Sequence, residues 1–447
     1  MRKIIKKFKT LSFYHISIVA FTFASMNILI LGSGGREHTL AWKIAQSKHC
    51  TKLYIAPGNP GTATLGTNLP VAVTDFESIQ KTIEDYSIGM LVVGPEDPLV
   101  LGIHDFLNPL FPDLHIIGPS QYAAQLEGSK AFAKEFMQKN RIPTAAYKEF
   151  TLENYDTGVT YIQNQTLPIV LKADGLAAGK GVVIASTHKE ALESFDAMIK
   201  QQKFGNAGNK VVIEEFLDGI ECSYFAITDG ENYCLLPSAK DYKRIGQGDT
   251  GLNTGGMGAI SPVPFVDAAF HEKVVEQIVK PTIQGLKNDN MDYKGFVFFG
   301  LIKVNNEPYV IEYNCRMGDP ETEVVLPRLK NDLVAIFLQL KNKNLTTQQL
   351  DFSEQAAATV MVVSGGYPEQ YEKGKNIELP SVDENSLVFH AGTMLQNNQL
   401  VSNGGRVLSI TSLSLKLDDA LQQSKIIARQ VKFEKAYFRE DIGWEFV

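Results

Sequence analysis

From Met26 onward, apolar runs of strand length alternate with stretches of helical spacing. Residues 27–31 form an apolar strand, 32–35 a glycine turn, and 36–47 place Leu40, Ile44 and Ala45 at helical intervals. Residues 52–55, 91–93 and 115–117 predict further strands, the last two closed by Gly94-Pro95 and Gly118-Pro119. Strands alternating with helices imply a mostly parallel, doubly wound sheet, ending near Leu126. A helix over about 129–140 places Phe132, Phe136 and Met137 on one face, and a strand-rich stretch then runs to 211–216. The densest run of glycines, 246–258, reads as a loop whose backbone approaches a ligand. Segments 296–304 and 308–314 predict a hairpin across Asn305-Asn306-Glu307. Past about 350 the texture changes to short strands around Gly pairs (357–363, 386–393, 406–411) and a helix at about 416–432.

Length and composition narrow the classes. The chain has 447 residues, 44% hydrophobic and 21% charged, so it can build a large core and is neither disordered nor fibrous. Its net charge is 43 − 50 = −7, which offers nothing to nucleic acid or an acidic membrane surface. Four scattered cysteines form no CxxC pair, and a reducing cytoplasm suits them. The head, MRKIIKKFKT followed by LSFYHISIVAFTFAS, has a basic and then an apolar segment. His15 and Ser17 interrupt the apolar run, no clear cleavage site follows, and the run is shorter than the about 20 residues a bilayer needs. Residues 1–25 therefore read as upstream sequence from a misplaced start, with a targeting segment as the alternative.

Several constellations could carry chemistry. Gly32-Ser33-Gly34-Gly35-Arg36 feeds a strand into a helix start, where backbone N–H groups and the helix dipole favour a phosphate and Arg36 would add a forked cation. A dinucleotide fingerprint fails there: Glu37 replaces the third glycine and the ribose-binding acid is missing. Lys172 ends an apolar strand and precedes a glycine-rich stretch, 175–182, that could close over a triphosphate without being a Walker A loop. Glu312 and Asn314 stand at i and i+2 of a strand and so share a face, with Ile311 and Tyr313 expected in the packing; two oxygen donors suit Mg²⁺ with nucleotide phosphates. Arg316 just beyond could clamp a carboxylate or a moving phosphoryl group. The segment 214–221 could offer backbone to an adenine edge. Cys315 has no histidine near it in sequence and reads as a buried thiol.

Taken in order, GSGGREH, GSKAFAK, KADGLAAGKGV, EEFLDGIE, DYKRIGQGDTGLNTGGMGA, IEYNCRMGDPE, FHAGT and DIGWE resemble the glycinamide ribonucleotide synthetase (phosphoribosylamine–glycine ligase) family of the ATP-grasp superfamily, from Met26 to Val447. The resemblance implies an α/β ATP-grasp fold: a doubly wound parallel-sheet domain at 26–126, an ATP-grasp domain at 127–350 with a lid at about 145–216, and a small β-rich domain at 351–447. It implies ligation of glycine to 5-phospho-β-D-ribosylamine in purine biosynthesis, driven by ATP with Mg²⁺ or Mn²⁺, by a cytoplasmic monomer that binds neither nucleic acid nor membrane.

Residue by residue, the resemblance gives the ATP phosphates to Lys130 and Lys172, with Gly175, Gly179, Lys180 and Gly181 in the closing stretch. Glu214, Glu215, Phe216 and Leu217 would meet adenine, and Glu221 the ribose. Glu312 and Asn314 would carry the metal. Gly32, Gly34, Gly35 and Arg36 would grip the ribosylamine phosphate. Arg316 and Asp319, with Asp241, Lys243 and Arg244, would face glycine and the reacting groups, and Gly255 and Gly256 would be further substrate-binding positions; Arg316, Lys172 and Asp319 are the expected catalytic set. Met317 and Glu323 depart from the family pattern, where Phe and Gln or Met are usual. Another ATP-grasp carboxylate–amine ligase is the alternative. A nicotinamide oxidoreductase rests on the first glycines alone.

Overall fold

The structure is a computed structural model that describes residues 25–176, 181–345 and 350–446; the N-terminal extension up to residue 24, Gly179 and Lys180 lie outside the described residues. The first sheet holds β1 (Met26–Gly32), β2 (Cys50–Pro57), β3 (Thr67–Asn68), β4 (Ile88–Val93) and β5 (His115–Ile117), in the order β3-β2-β1-β4-β5 and parallel throughout. Both faces of β1 are buried: Leu29 and Leu31 enter one core, Ile28 and Ile30 another. That is why the strand reads as a continuous apolar run. The helix after it, Gly35–Ile44, is shorter than 36–47, because Ser47 turns away to hydrogen-bond Asp332 (2.8 Å).

A central antiparallel sheet runs Tyr233–Leu235, Ile220–Thr228, Gly295–Val304, Glu307–Asn314. Its last two strands meet across Asn305-Asn306, both at positive φ (50° and 64°), with Val304 paired to Glu307. Asparagine tolerates this left-handed geometry, so the expected hairpin forms as a two-residue turn. Val297, Phe299, Val310 and Tyr313 share a core with Leu29 and Leu31, so the first and central sheets pack as one body.

A separate four-stranded sheet (Tyr147–Thr151, Lys210–Glu215, Ile169–Ala173, Val182–Ala185) carries helices Tyr155–Gln163 and His188–Ile199. It closes around its own core of Phe150, Ile162, Leu171, Phe195, Val211 and Ile213. The last large sheet is antiparallel: Lys240–Asp241, Gly258–Ser261, Ala356–Val363, Arg406–Ser414, Ser386–His390. It spans position 350, so strands on both sides of the border expected there are hydrogen-bonded to one another.

Two expectations change. Residues 246–258 are not simply a loop: Arg244–Gly246 pairs with Thr250–Asn253 as a short ribbon, and Gly258–Ser261 is a buried strand. The strand expected over 386–393 stops at His390. Thr393–Gln396 leaves to pair with Gln399–Ser402 across Asn397-Asn398, again at positive φ (51° and 63°).

Candidate active site

The order of the first sheet reverses between β1 and β4, and ligands of such sheets sit beyond the carboxyl ends of the strands at that point. The glycine turn lies there. Gly32 has φ +122°, and a Cβ on it would strike Glu37. Glu37 folds back so that Gly34 N–H donates to its Oε2 (2.7 Å), which caps the helix start with the chain's own acid. Arg36 does not stand free over the turn as expected. Its Nε meets Glu37 Oε1 at 2.6 Å and its Nη1 donates to the Met317 carbonyl (3.2 Å), all buried.

Three distant segments converge on this turn. Asn59 donates from Nδ2 to the carbonyls of Ser33 and His390 (2.8 Å each). His390 N–H donates to His38 Nδ1 (2.7 Å), and burial holds both imidazoles neutral, with pKa values lowered to about 3 for His38 and about 4 for His390. Arg406, from the C-terminal sheet, donates from Nη1 to the carbonyls of Gly255 and Asp319 (2.7 Å each) and meets Asp319 Oδ1 at 3.0 Å. Gly256, at φ +121°, lies so close to Pro320 that a side chain there would clash. Gly34, Gly35, Asp319, Gly255 and Gly256 therefore gather around one turn. Arg244 does not join them: its guanidinium donates to Gly251 within the ribbon (2.8 Å).

A second group lines a cleft between the central sheet and the separate four-stranded unit. Lys172 is buried, its Nζ 3.0 Å from Glu214 Oε1 and donating to the Ile311 carbonyl (3.2 Å). The Glu214 side chain is thus spent on lysines rather than placed at an open rim, since Lys134 meets its other oxygen at 3.1 Å. Glu215 is exposed and accepts from Ala146 N–H (2.8 Å); Phe216 is exposed and Leu217 half-buried. Lys130 donates to the Gly175 carbonyl (3.1 Å), and burial lowers its pKa. Asp174 accepts from Ser129 Oγ (3.0 and 3.1 Å) and Ala131 N–H (2.7 Å) at the start of helix Lys130–Lys139. This anchors the first residues of the glycine stretch on a helix N-terminus, and Gly181 closes its far end by accepting from Ala173 N–H (2.8 Å).

Glu312 and Asn314 do share a face, as alternation around Tyr313 requires. The pairing of Gly295–Val304 with Glu307–Asn314 skips Ile311, a bulge between Val310 and Glu312. Val310 and Tyr313, three residues apart, both enter the core, so the bulge decides which face Glu312 and Asn314 take: the one turned away from that core. Tyr313 packs as expected, its hydroxyl 2.8 Å from Thr282 Oγ1; Ile311 does not, and lines a narrow pocket with Glu221, Asp241, Lys243 and Glu312. Lys243 lies 3.2 Å from Glu221 and 3.9 Å from Asp241, and these carboxylates, Asp241 foremost, raise its pKa. Among the described residues neither Glu312 nor Asn314 has a side-chain hydrogen bond or ion pair, and no group of three or more His, Cys, Asp or Glu could hold a metal. An uncommitted carboxylate beside an amide oxygen fits a hard cation whose other ligands come from phosphate and water.

From this strand the chain runs straight to the glycine turn. Arg316 is pinned on the way, Nη2 at 2.8 Å from Glu127 Oε1 and Nε at 3.3 Å from Glu96 Oε2. Burial works against ionised Glu96, but Arg316 and Arg36 outweigh it and hold its pKa below the usual value. Burial pushes the Cys315 thiol up to about 12, so it is no nucleophile. Asn59 and Arg406 escaped the sequence reading, and His38, Lys134, Asp174 and His390 stood inside quoted motifs without being given a role. Motif membership was a signal for those four, and Arg406 carried one in standing after Gly404-Gly405 at a strand start.

Three family models match in order: the phosphoribosylglycinamide synthetase N domain over 26–127, its ATP-grasp (A) domain over 128–322 and its C domain over 357–445. The phosphoribosylamine–glycine ligase of Chlorobaculum tepidum is 46% identical over 425 residues, 94% of this chain and 99% of that protein. The crystal structure of the Thermotoga maritima phosphoribosylamine–glycine ligase superposes with a TM-score of 0.82 at 35% identity, covering 93% of this chain and 99% of that one. The biotin carboxylase domain of Hydrogenobacter thermophilus 2-oxoglutarate carboxylase, solved with magnesium ADP, covers 93% and 92% with a TM-score of 0.72. At 13% identity that is a likeness of fold.

Proposed function

The chain belongs to the phosphoribosylglycinamide synthetase family, and from that premise we propose how its residues perform the reaction. It ligates glycine to 5-phospho-β-D-ribosylamine with ATP, giving glycinamide ribonucleotide, ADP and phosphate in purine biosynthesis. The observation that carries this is the match of all three domain models in order, with a relative of that activity aligned over 94% of the chain.

A carboxylate is a poor electrophile, so a glycine carboxylate oxygen first attacks the γ-phosphorus, and ADP leaves. The ribosylamine nitrogen then attacks the acyl carbon, and phosphate departs. Charge spreads over the moving phosphoryl, so catalysis is mainly positioning and cationic stabilisation. Lys130 and Lys172 hold the nucleotide phosphates, and Arg316, fixed by Glu96 and Glu127, faces the transferring group with Asp319. Glu312 and Asn314 would hold Mg²⁺ or Mn²⁺, which would add positive charge beside those phosphates. Adenine rests at the rim made by the 214–217 backbone, with Glu221 at the ribose beside Lys243. The turn at Gly32, Gly34 and Gly35 grips the ribosylamine phosphate, with the Gly34 N–H already held by Glu37. Asp241 and Lys243 flank glycine, and Gly255 and Gly256 complete the ribosylamine side through Arg406 and Asp319.

Glycyl phosphate hydrolyses readily, so water must be kept out. The unit at about 145–216, with a core of its own, serves as a lid. The domain borders fall near 126 and 350. The enzyme works as a cytoplasmic monomer without nucleic acid or membrane; among the described residues no helix is long and apolar enough to cross one. ADP formation by purified protein tests the reading. It should require glycine and ribosylamine together, and formation with neither co-substrate needed would overturn it.

A further inference from the structure

Lys134 is a buried cation with no place in the chemistry above. It is 2% exposed and lies one turn beyond Lys130 on the same helix. Its ammonium donates to Thr144 Oγ1 (2.8 Å) and the Ala145 carbonyl (3.4 Å), and meets Glu214 Oε2 at 3.1 Å, with the Tyr147 ring centroid at 5.5 Å. Those partners sit on the two places where the chain crosses into and out of the lid. Thr144 and Ala145 lie on the way into strand Tyr147–Thr151, and Glu214 lies near the end of strand Lys210–Glu215.

Both partners pass the connection on to the same spot. Thr144 Oγ1 donates to the Val310 carbonyl (2.7 Å). Glu214 holds Lys172, which donates to the Ile311 carbonyl (3.2 Å). Val310 and Ile311 border the bulge that turns Glu312 out of the core. One buried ammonium is therefore linked by two routes to the backbone that aims the metal-binding carboxylate, and by one of them to the phosphate-binding lysine.

We propose that Lys134 is a positioning residue for the nucleotide site: it pins both crossings of the lid and, through Thr144 and Glu214, fixes Lys172 and the bulge that presents Glu312. This rests on the reading of the cleft as the ATP site. Charge makes the device sensitive to pH. Glu214 is one carboxylate between two ammonium groups, with Glu215 farther along its strand. Burial chiefly, and Lys172 next, disfavour a charged Lys134, while Glu214 and Glu215 favour it; the balance lowers its pKa to about 8. Above that pH Glu214 is left to Lys172 alone, and Lys172 is less available to phosphate. The protonated fraction falls about tenfold from pH 7 to pH 9 for such a group.

The test is titration of full-length protein with ADP and Mg²⁺ at pH 7 and pH 9, with steady-state kinetics alongside. Wild-type affinity should fall about tenfold between the two pH values, in proportion to that fraction. Lys134→Met, similar in length and uncharged, should bind about tenfold more weakly at pH 7 and lose the alkaline fall; its KM for ATP should rise more than its kcat falls. Thr144→Val breaks one route only, so a loss of about threefold with the alkaline fall retained is expected. Should Lys134→Met not fold, the wild-type pH dependence and Thr144→Val still decide. Wild-type affinity equal at both pH values, or Lys134→Met with wild-type affinity and an unchanged alkaline fall, overturns the proposal. A wild type that binds no nucleotide at all instead sinks the reading of the cleft.

Discussion

Replacing Arg406 by Met removes a guanidinium that ties three parts of the chain together while keeping much of the side chain's length. Three interactions go: donations to the carbonyls of Gly255 and Asp319, both 2.7 Å, and the ion pair to Asp319 Oδ1 at 3.0 Å. Breaking a buried pair by deleting one partner costs about 3–5 kcal/mol, and hydrogen bonds to charged groups about 1.5–3 kcal/mol each. The Arg406 side chain is 21% exposed and that of Asp319 13%, so water can reach part of what is lost. The lower end, about 3 kcal/mol, is the reasonable figure. If all of it fell on substrate affinity, KM for the ribosylamine would rise about 150-fold. Part will be lost from the junction of the turn with the C-terminal sheet, so a rise of about 20-fold to 150-fold is expected. The KM for ATP should stay near wild type, because Arg406 does not line the nucleotide cleft. Arg406→Lys should recover only part, since one ammonium cannot reproduce a planar fork. Steady-state kinetics with each substrate varied in turn decides. A folded Arg406→Met enzyme whose ribosylamine KM lies within threefold of wild type would refute the reasoning.

Three further outcomes are expected. Glu312→Gln should cut turnover by about 10³-fold or more while far-ultraviolet circular dichroism is unchanged, since an uncommitted carboxylate supports little of the fold; near-normal turnover removes Glu312 from the metal role. Phe195→Ala, in the lid core against Phe150 and Tyr155, should destabilise that unit by about 3–5 kcal/mol and raise the KM for ATP, read by hydrogen exchange of strand Ile169–Ala173 and by kinetics. Glu323 is fully buried beneath Gly35 with no partner for either oxygen, and burial, then Asp319, hold its pKa well above the ordinary value. Folded protein thus keeps a proton that unfolded protein releases, so this group's contribution to stability is greatest below about pH 4.5 and is lost as pH rises towards its folded pKa. Glu323→Gln should flatten that decline in denaturant titrations from pH 5 to 8, and an unchanged slope counts against a neutral Glu323.

What could be read from the chain were features whose cause is local. The apolar run of β1, the glycines after it, the capping Ser129 and the Asn-Asn turn each state their geometry within a few residues. The shared face of Glu312 and Asn314 was read correctly from alternation, but which face it is depends on a bulge that follows from pairing with Gly295–Val304 and that also moves Ile311 into the pocket. The contacts of Arg36 and Glu214 were hidden because a buried charge is satisfied by whichever opposite group the fold brings near, here Glu37 beside one and two lysines around the other. Asn59 and His390 act across 331 and 352 residues and Arg406 across 87 and 151, and no spacing in one sequence marks such pairs. The strand Gly258–Ser261 was hidden by its glycine-rich approach and becomes a strand by pairing with Lys240–Asp241 on one side and Ala356–Val363 on the other.

The claim on which the rest depends is that ATP's terminal phosphoryl passes through the glycine carboxylate. Glycine labelled with ¹⁸O in its carboxylate tests it directly, with mass spectrometry of the phosphate released. The account predicts one labelled oxygen in each inorganic phosphate and one retained in the amide product. Phosphate that carries no label while product forms at the normal rate would contradict it.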